Sequence, residues 1–347
     1  MKKILVLLIL TMLSVVSLMV FGGCSDGSTR YSSHTIMQYY PNNAVGDSIL
    51  DPPNANDSFA FEGYTELLNR VYTTVNGREL RFDIFFPTEQ VFERTPLVVG
   101  FHGGGWMAGH RSELTDGFVP IINELRANGY AFATVEYRFA SPPAVVFPTP
   151  FDDSVAFMNY IIENAAIYNI NTDNIGVFGF SAGAHLAMLL AYATDFDIRY
   201  AVSFAGPTKM YGDDPANYPA ATMHMVENLF GGTYENLPDL YRDGSPFFHV
   251  EIRYYIENSN IRINTGNRNP DSWRVPLLLV HDRADAVVPF SQSEIMHEKL
   301  TSVGVHSELL ELRGVGHDIN FNRQNMADRD EIIEVIVNFI YKFSKSY

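Results

Sequence analysis

The hydrophobic positions of this chain keep three different rhythms along its length. Ile4 to Phe21 is a single apolar run, broken only by Thr11, Ser14 and Ser17 and preceded by Lys2 and Lys3. From Ser25 the period disappears, and Ser, Asn, Asp and Pro dominate stretches such as SDGSTR, YPNN and DPPNAND. From about Glu66 a regular pattern begins and continues to the C-terminus. These changes predict a leader over residues 1–23, an unpatterned tether over 24–65 and one folded domain over 66–347.

Within the domain, residues 67–75 and 79–86 flank Asn76-Gly77. That dipeptide most favours a tight hairpin, because both positions accept positive φ, so an antiparallel pair is expected there. Short apolar runs then alternate with stretches of helical period. Strands are predicted at 96–101, 131–136, 174–179, 199–204, 276–281 and 307–311, and helices at 116–128, 152–168, 182–193, 291–303 and 329–344. Strands that are apolar throughout are covered on both faces, so the fold class is α/β, a mostly parallel sheet with helices on both sides. Such sheets bind ligands at the carboxyl ends of their strands. Residues 206–274 are rich in Tyr, Asn, Asp and Met and too long for an ordinary crossover. They predict an insertion above the strand ends, a lid or a substrate wall, placed before the strand at 276–281.

Charge and cysteine usage narrow the chemistry. The 347 residues carry 24 Lys and Arg against 40 Asp and Glu, a net charge of −16, without a basic cluster that would hold a phosphate backbone. Nucleic acid is therefore not an expected partner. The single cysteine, Cys24, excludes an intrachain disulfide, a Cys-rich zinc site and a CxxC redox motif.

Two glycine-rich segments carry the candidate chemistry. Gly179-Phe180-Ser181-Ala182-Gly183 follows one predicted strand and opens the next predicted helix. GxSxG by itself also fits a turn with a capping serine. A strand before it and a helix after it suit a nucleophile elbow, in which Ser181 projects above the sheet. His102-Gly103-Gly104-Gly105-Trp106 directly follows the strand at 96–101. Its glycines let the N–H groups of Gly103 and Gly104 turn toward a developing oxyanion, with the N–H of Ala182 as a further donor at the helix N-terminus. His102 is read as a brace for this loop.

HGGGW, YRFA at 137–140, GFSAGAHLA at 179–187, HDRADAVVP at 281–289 and GVGHDI at 314–319 together resemble the α/β-hydrolase fold. Within it they resemble the hormone-sensitive-lipase-type and BD-FAE-type carboxylesterases, over about residues 66–347. The resemblance implies hydrolysis of small ester substrates, with neither metal nor cofactor. Two carboxylates, Asp282 and Asp285, follow the strand at 276–281. The family pattern HGxxDxxVP puts the catalytic acid at Asp285 and leaves Asp282 where glycine is usual. His317 lies after the last predicted strand, 32 residues beyond Asp285, and completes the order Ser181, Asp285, His317. Trp106 and Phe180 are candidate walls of the substrate pocket. His185 is expected in the core, and Asp152 and Asp153 are expected to cap the helix that follows Pro150. Glu136, Tyr137 and Arg138 are expected to hold the loop beneath the site. A peptidase or amidase on the same triad and a silent binding protein on the same scaffold remain the alternatives.

The N-terminal segment FGGCS resembles a bacterial lipoprotein signal, with Phe21 where an aliphatic residue is usual. The resemblance implies cleavage before Cys24, lipid attachment to its thiol and a membrane-anchored place in the cell envelope. Cleavage would remove two lysines and no acid, moving the net charge from −16 to −18. An uncleaved anchor or an ordinary secretory signal are the competing readings, since an 18-residue apolar run approaches the length that spans a bilayer.

Overall fold

A computed structural model describes residues 65–211, 218–250, 274–323, 326 and 328–344. The leader, Cys24, the tether up to residue 64 and residues 212–217 and 251–273 of the insertion lie outside the described residues. Among the described residues, no helix is long and apolar enough to cross a membrane.

The chain enters through β1 (Glu66–Val75) and β2 (Arg78–Phe85), paired antiparallel around Asn76 and Gly77. Their φ angles of 51° and 80° are the pair of positive values that a tight hairpin demands. β3 (Thr95–Phe101), β4 (Ala131–Val135), β5 (Ile170–Phe180), β6 (Ile198–Phe204), β7 (Leu277–Asp282) and β8 (Ser307–Leu312) complete one eight-stranded sheet. Its order is β1-β2-β4-β3-β5-β6-β7-β8, with β2 antiparallel to β4 and every pair from β4 to β8 parallel.

Continuous apolar strands are explained by what covers them. Every residue of β3, β4 and β7 is buried. Alternate side chains feed two separate cores: Leu97, Val99 and Phe101 join one, while Val98 joins the other. The first core is closed by α2 (Thr149–Glu163), α3 (Ala182–Ala193) and α6 (Ser291–Ser302). The second is closed by α1 (Ser112–Ala127) and α7 (Arg329–Phe343). Burial of each large apolar side chain contributes about 1.5–3 kcal/mol, so the period-two division of β3 stabilises both faces.

Helix limits differ from the sequence expectation at two places. α1 begins at Ser112 rather than 116, because Leu114 and Thr115 in its polar-looking first turn are buried. α2 begins at Thr149 and ends at Glu163, before 168; Asn164 follows it and donates its side-chain amide to the Tyr160 carbonyl. With Pro150 in the first turn, Asp152 and Asp153 fall inside the helix and do not cap it. Asp153 instead accepts Nε and Nη2 of Arg138 at 2.7–3.1 Å, and the Arg138 N–H at 2.8 Å. That clamp fixes the segment after β4 against α2.

The chain runs from β3 to β4 on one side and returns to β5 on the other, so the strand order reverses between β3 and β5. The crevice at the carboxyl ends of those two strands is where such sheets accept ligands. Over the same end lies the described part of the insertion, with α4 (Ala220–Phe230) and α5 (Pro238–Asp243).

Candidate active site

The loops after β3 and β5 meet at the reversal point. Ser181 is the single residue between β5 and α3, held at φ 53° and ψ −119°. A side chain in this region is strained, and glycine at both flanking positions makes the turn fit. A Cβ on Gly179 would collide with the Gly183 backbone, and one on Gly183 with the carbonyls of Phe101 and His102. The Ser181 N–H donates to the Phe204 carbonyl at 2.8 Å, locking the elbow to β6.

Ser181, His317 and Asp285 form one hydrogen-bonded line. Ser181 Oγ is 3.0 Å from His317 Nε2, and His317 Nδ1 is 2.7 Å from Asp285 Oδ2. A carboxylate only accepts, so Nδ1 carries the proton and Nε2 is left to accept the serine hydroxyl. Asp285 has four donors. His281 Nε2 also reaches Oδ2 at 3.1 Å, and the N–H groups of Val287 and Val288 reach Oδ1 at 2.8 and 2.9 Å. Burial pushes this carboxyl up, but the hydrogen bonds from His281, His317 and Val287 outweigh burial and hold it well below the usual carboxylate range. Among the described residues, the carboxylate of Asp282, the other acid of this turn, takes no hydrogen bond from either histidine and binds backbone N–H groups instead.

The glycine loop packs directly against the elbow. Gly104 accepts the N–H groups of Met107 and Ala108, both at 3.0 Å, which closes the loop into a turn. A Cβ on Gly103 would press on the Phe180 ring at 2.9 Å. Phe180 in turn lies 5.3 Å from the His317 ring, so it fills the space between the glycine loop and the histidine. Among the described residues, no hydrogen bond uses the N–H of Gly103 or Gly104. Ala182 opens α3, where a first-turn N–H has no intrahelical acceptor.

Trp106, the candidate pocket wall, is buried beside the elbow helix. Its side chain is 2% exposed, packed among Phe147, Leu189, Val226 and Leu229, and its indole N–H donates to His185 Nδ1 at 3.2 Å. His185 Nε2–H donates to the Gly244 carbonyl at 2.7 Å, so this core histidine ties the glycine loop and the elbow helix to the insertion. His102 braces the loop: its ring stacks on Tyr137, Nδ1–H donates to Gly103, and the Tyr137 hydroxyl donates to the His102 carbonyl at 2.9 Å. The insertion also grips the site from above. Thr222 Oγ1 donates to the Val287 carbonyl at 2.7 Å, and Met225 Sδ lies 2.6 Å from where a Cβ on Gly105 would be. Sequence reasoning did not single out His281, Thr222 or Met225. Only His281 had a signal, its place in HDRADAVVP.

Burial lowers both His102 and His185 from 6.5 to about 4. The geometry around His185 acts in the same direction as burial, since an imidazolium would point a donor at the indole N–H. The unfolded chain takes up these protons below about pH 6.5, whereas the folded protein resists until about pH 4. Stability is therefore expected to fall between those values by on the order of 3 kcal/mol per histidine. Urea unfolding midpoints measured from pH 7 to 4.5 test this. Asp285 enters only below its ordinary 3.8, so it does not blur the window.

The BD-FAE family model matches residues 82–256, half of the chain. The chain belongs to the BD-FAE family. The match spans the glycine loop and the elbow and stops before β7. This BD-FAE chain is 25% identical over 230 residues to esterase LipQ of Mycobacterium tuberculosis, covering 66% of this chain and 51% of that protein. It is also 25% identical over 242 residues to an AB hydrolase superfamily protein of Schizosaccharomyces pombe, covering 65% and 63%. Of a non-reducing polyketide synthase of Stereocaulon alpinum, 22% identical, it spans 12% of the length. Among solved structures, a truncated carbohydrate esterase from gut microbiota superposes with a TM-score of 0.63 at 20% identity, covering 84% of this chain and 99% of that one. Thermogutta terrifontis esterase 2 superposes with a TM-score of 0.63 at 19% identity, covering 80% and 96%. The BD-FAE chain thus has the α/β-hydrolase fold and groups with carboxylesterase-like hydrolases.

Proposed function

We propose that this chain is a serine carboxylic-ester hydrolase acting on small acyl esters. The observation that carries the proposal is the line from Asp285 through His317 to Ser181, with separations of 2.7 and 3.0 Å, at the head of a strained elbow. His317, held in one tautomer by Asp285, takes the Ser181 proton as the hydroxyl oxygen attacks the ester carbonyl. The N–H groups of Gly103, Gly104 and Ala182 face the oxyanion, each donor worth roughly 3 kcal/mol in the transition state. His317 returns the proton to the leaving alcohol, and water then attacks the acyl-enzyme by the same route in reverse. Neither metal nor cofactor enters these steps.

Acylated carbohydrates are the proposed substrate class, supported by the likeness to a carbohydrate esterase. The place of action is proposed to be the bacterial cell envelope, through a lipid on Cys24, supported by Lys2, Lys3, the apolar run and FGGCS. Replacing Cys24→Ala is expected to move the protein out of the membrane fraction. Retention there would mean that the apolar run itself is the anchor.

Purified full-length protein assayed on p-nitrophenyl esters, acetylated sugars and feruloylated sugars, alongside the matching amides, tests the proposal. Ester turnover with fluorophosphonate labelling of Ser181 supports it. Neither activity nor labelling would favour a binding protein on this scaffold, and faster amide cleavage would favour a peptidase or amidase.

A further inference from the structure

Asp282 occupies the position where the family pattern has glycine, and its surroundings explain what an acid does there. It is the last residue of β7, opposite Leu312 at the end of β8, and it is 1% exposed. Its backbone carbonyl accepts the Asp285 N–H at 3.1 Å. Carboxylate Oδ1 accepts the Ala284 N–H at 2.7 Å, closing the turn that presents Asp285. Oδ2 crosses to the loop after β8 and accepts the N–H of Val315 at 2.6 Å and of Gly316 at 2.9 Å. Gly316 immediately precedes His317. One buried side chain therefore ties the turn of the acid to the loop of the base, and a glycine there would keep only the backbone bond to Asp285.

We propose that Asp282 is a positioning residue, which sets the separation of His317 from Asp285 by bonding the two loops that carry them. This rests on the hydrolase function proposed above. A purely local cap would need only the bond to Ala284, while Oδ2 adds a bond between loops 33 residues apart. Buried charged acceptors that take several N–H groups hold backbone in place more firmly than neutral ones. An error of about 1 Å between reacting groups costs on the order of 100-fold in rate, so a loosened His317 loop acts on kcat and leaves substrate binding alone.

Two variants of the full-length protein separate the roles. Asp282→Ser keeps a hydroxyl able to cap the Ala284 N–H but too short to reach Val315 and Gly316. Asp282→Asn keeps an amide oxygen that can accept both Val315 and Gly316, while its nitrogen faces the Ala284 N–H and gives up the local bond. Asp282→Ser is expected to lower kcat about 30- to 100-fold with KM within about twofold, and Asp282→Asn to recover to within about tenfold of the parent. Amide hydrogen exchange at Val315 and Gly316 should accelerate in the serine variant and much less in the asparagine variant. A serine variant with parental kcat, or an asparagine variant no better than serine, overturns the inference while the parent's activity leaves the hydrolase function standing. A parent inert to esters and to fluorophosphonate overturns both.

Discussion

Ser181→Ala is expected to lower kcat for ester hydrolysis by about 10⁶-fold and to abolish fluorophosphonate labelling. The hydroxyl 3.0 Å from His317 Nε2 is the Ser181 group itself, and its removal leaves the imidazole with nothing to deprotonate but water. The residual rate then rests on the oxyanion donors alone. Folding should survive, because the turn at φ 53° strains alanine no more than serine, and the Ser181 N–H bond to Phe204 belongs to the backbone. An unchanged urea midpoint beside lost turnover distinguishes this result from simple unfolding. A fluorophosphonate suits the test because it phosphonylates an activated serine hydroxyl. Persistent labelling of the alanine variant would place the nucleophile elsewhere.

Asp285→Asn is expected to cost about 10⁴-fold in kcat with little change in KM. The reason lies in the four donors around the carboxylate. Val287 and Val288 present N–H groups to Oδ1 and cannot invert, so the amide oxygen must face them. The amide nitrogen then faces the two imidazoles, at the place where Oδ2 accepted from His317 and His281. His317 must turn Nδ1 into an acceptor, which puts its proton on Nε2, facing Ser181. The base becomes a donor and the serine is no longer activated. Raising the pH does not restore the lost step, since the fault is the tautomer and not the charge. A pH–rate profile whose plateau is depressed at all pH values checks this. Recovery of the rate at high pH would argue against it.

Much of this was legible because the informative patterns are local. A strand covered on both faces needs an unbroken apolar run, and a two-residue hairpin needs residues tolerant of positive φ, so β3, β4, β7 and the Asn76-Gly77 turn could be read directly. Ser181 was readable for a similar reason, since its strained turn tolerates only glycine on either side. What could not be read depends on partners distant in the chain. Asp153 looks like a cap until Arg138 is found beside it. Trp106 follows the glycine loop, but the partner of its indole N–H, His185, stands 79 residues away and left no local signal. Asp282 showed only as a departure from pattern. Its purpose is set by Val315 and Gly316, which no spacing rule connects to it.

The sheet places the proposed nucleophile and its partners in regions of unequal security. Ser181 and the glycine loop spring from β5 and β3, adjacent strands in the middle of the sheet, whereas Asp285 and His317 hang from β7 and the edge strand β8. β8 has one buried residue of six, against all seven in β3. Opening of a structure begins where the least apolar surface is lost, so warming should fray this margin before the centre of the sheet. The enzyme would then fall silent while most of its core is still folded, and cooling could restart it without refolding the whole. Loss of activity on warming is therefore expected to precede loss of the core and to reverse on cooling, which activity and near-UV signal followed through one heating and cooling cycle would check.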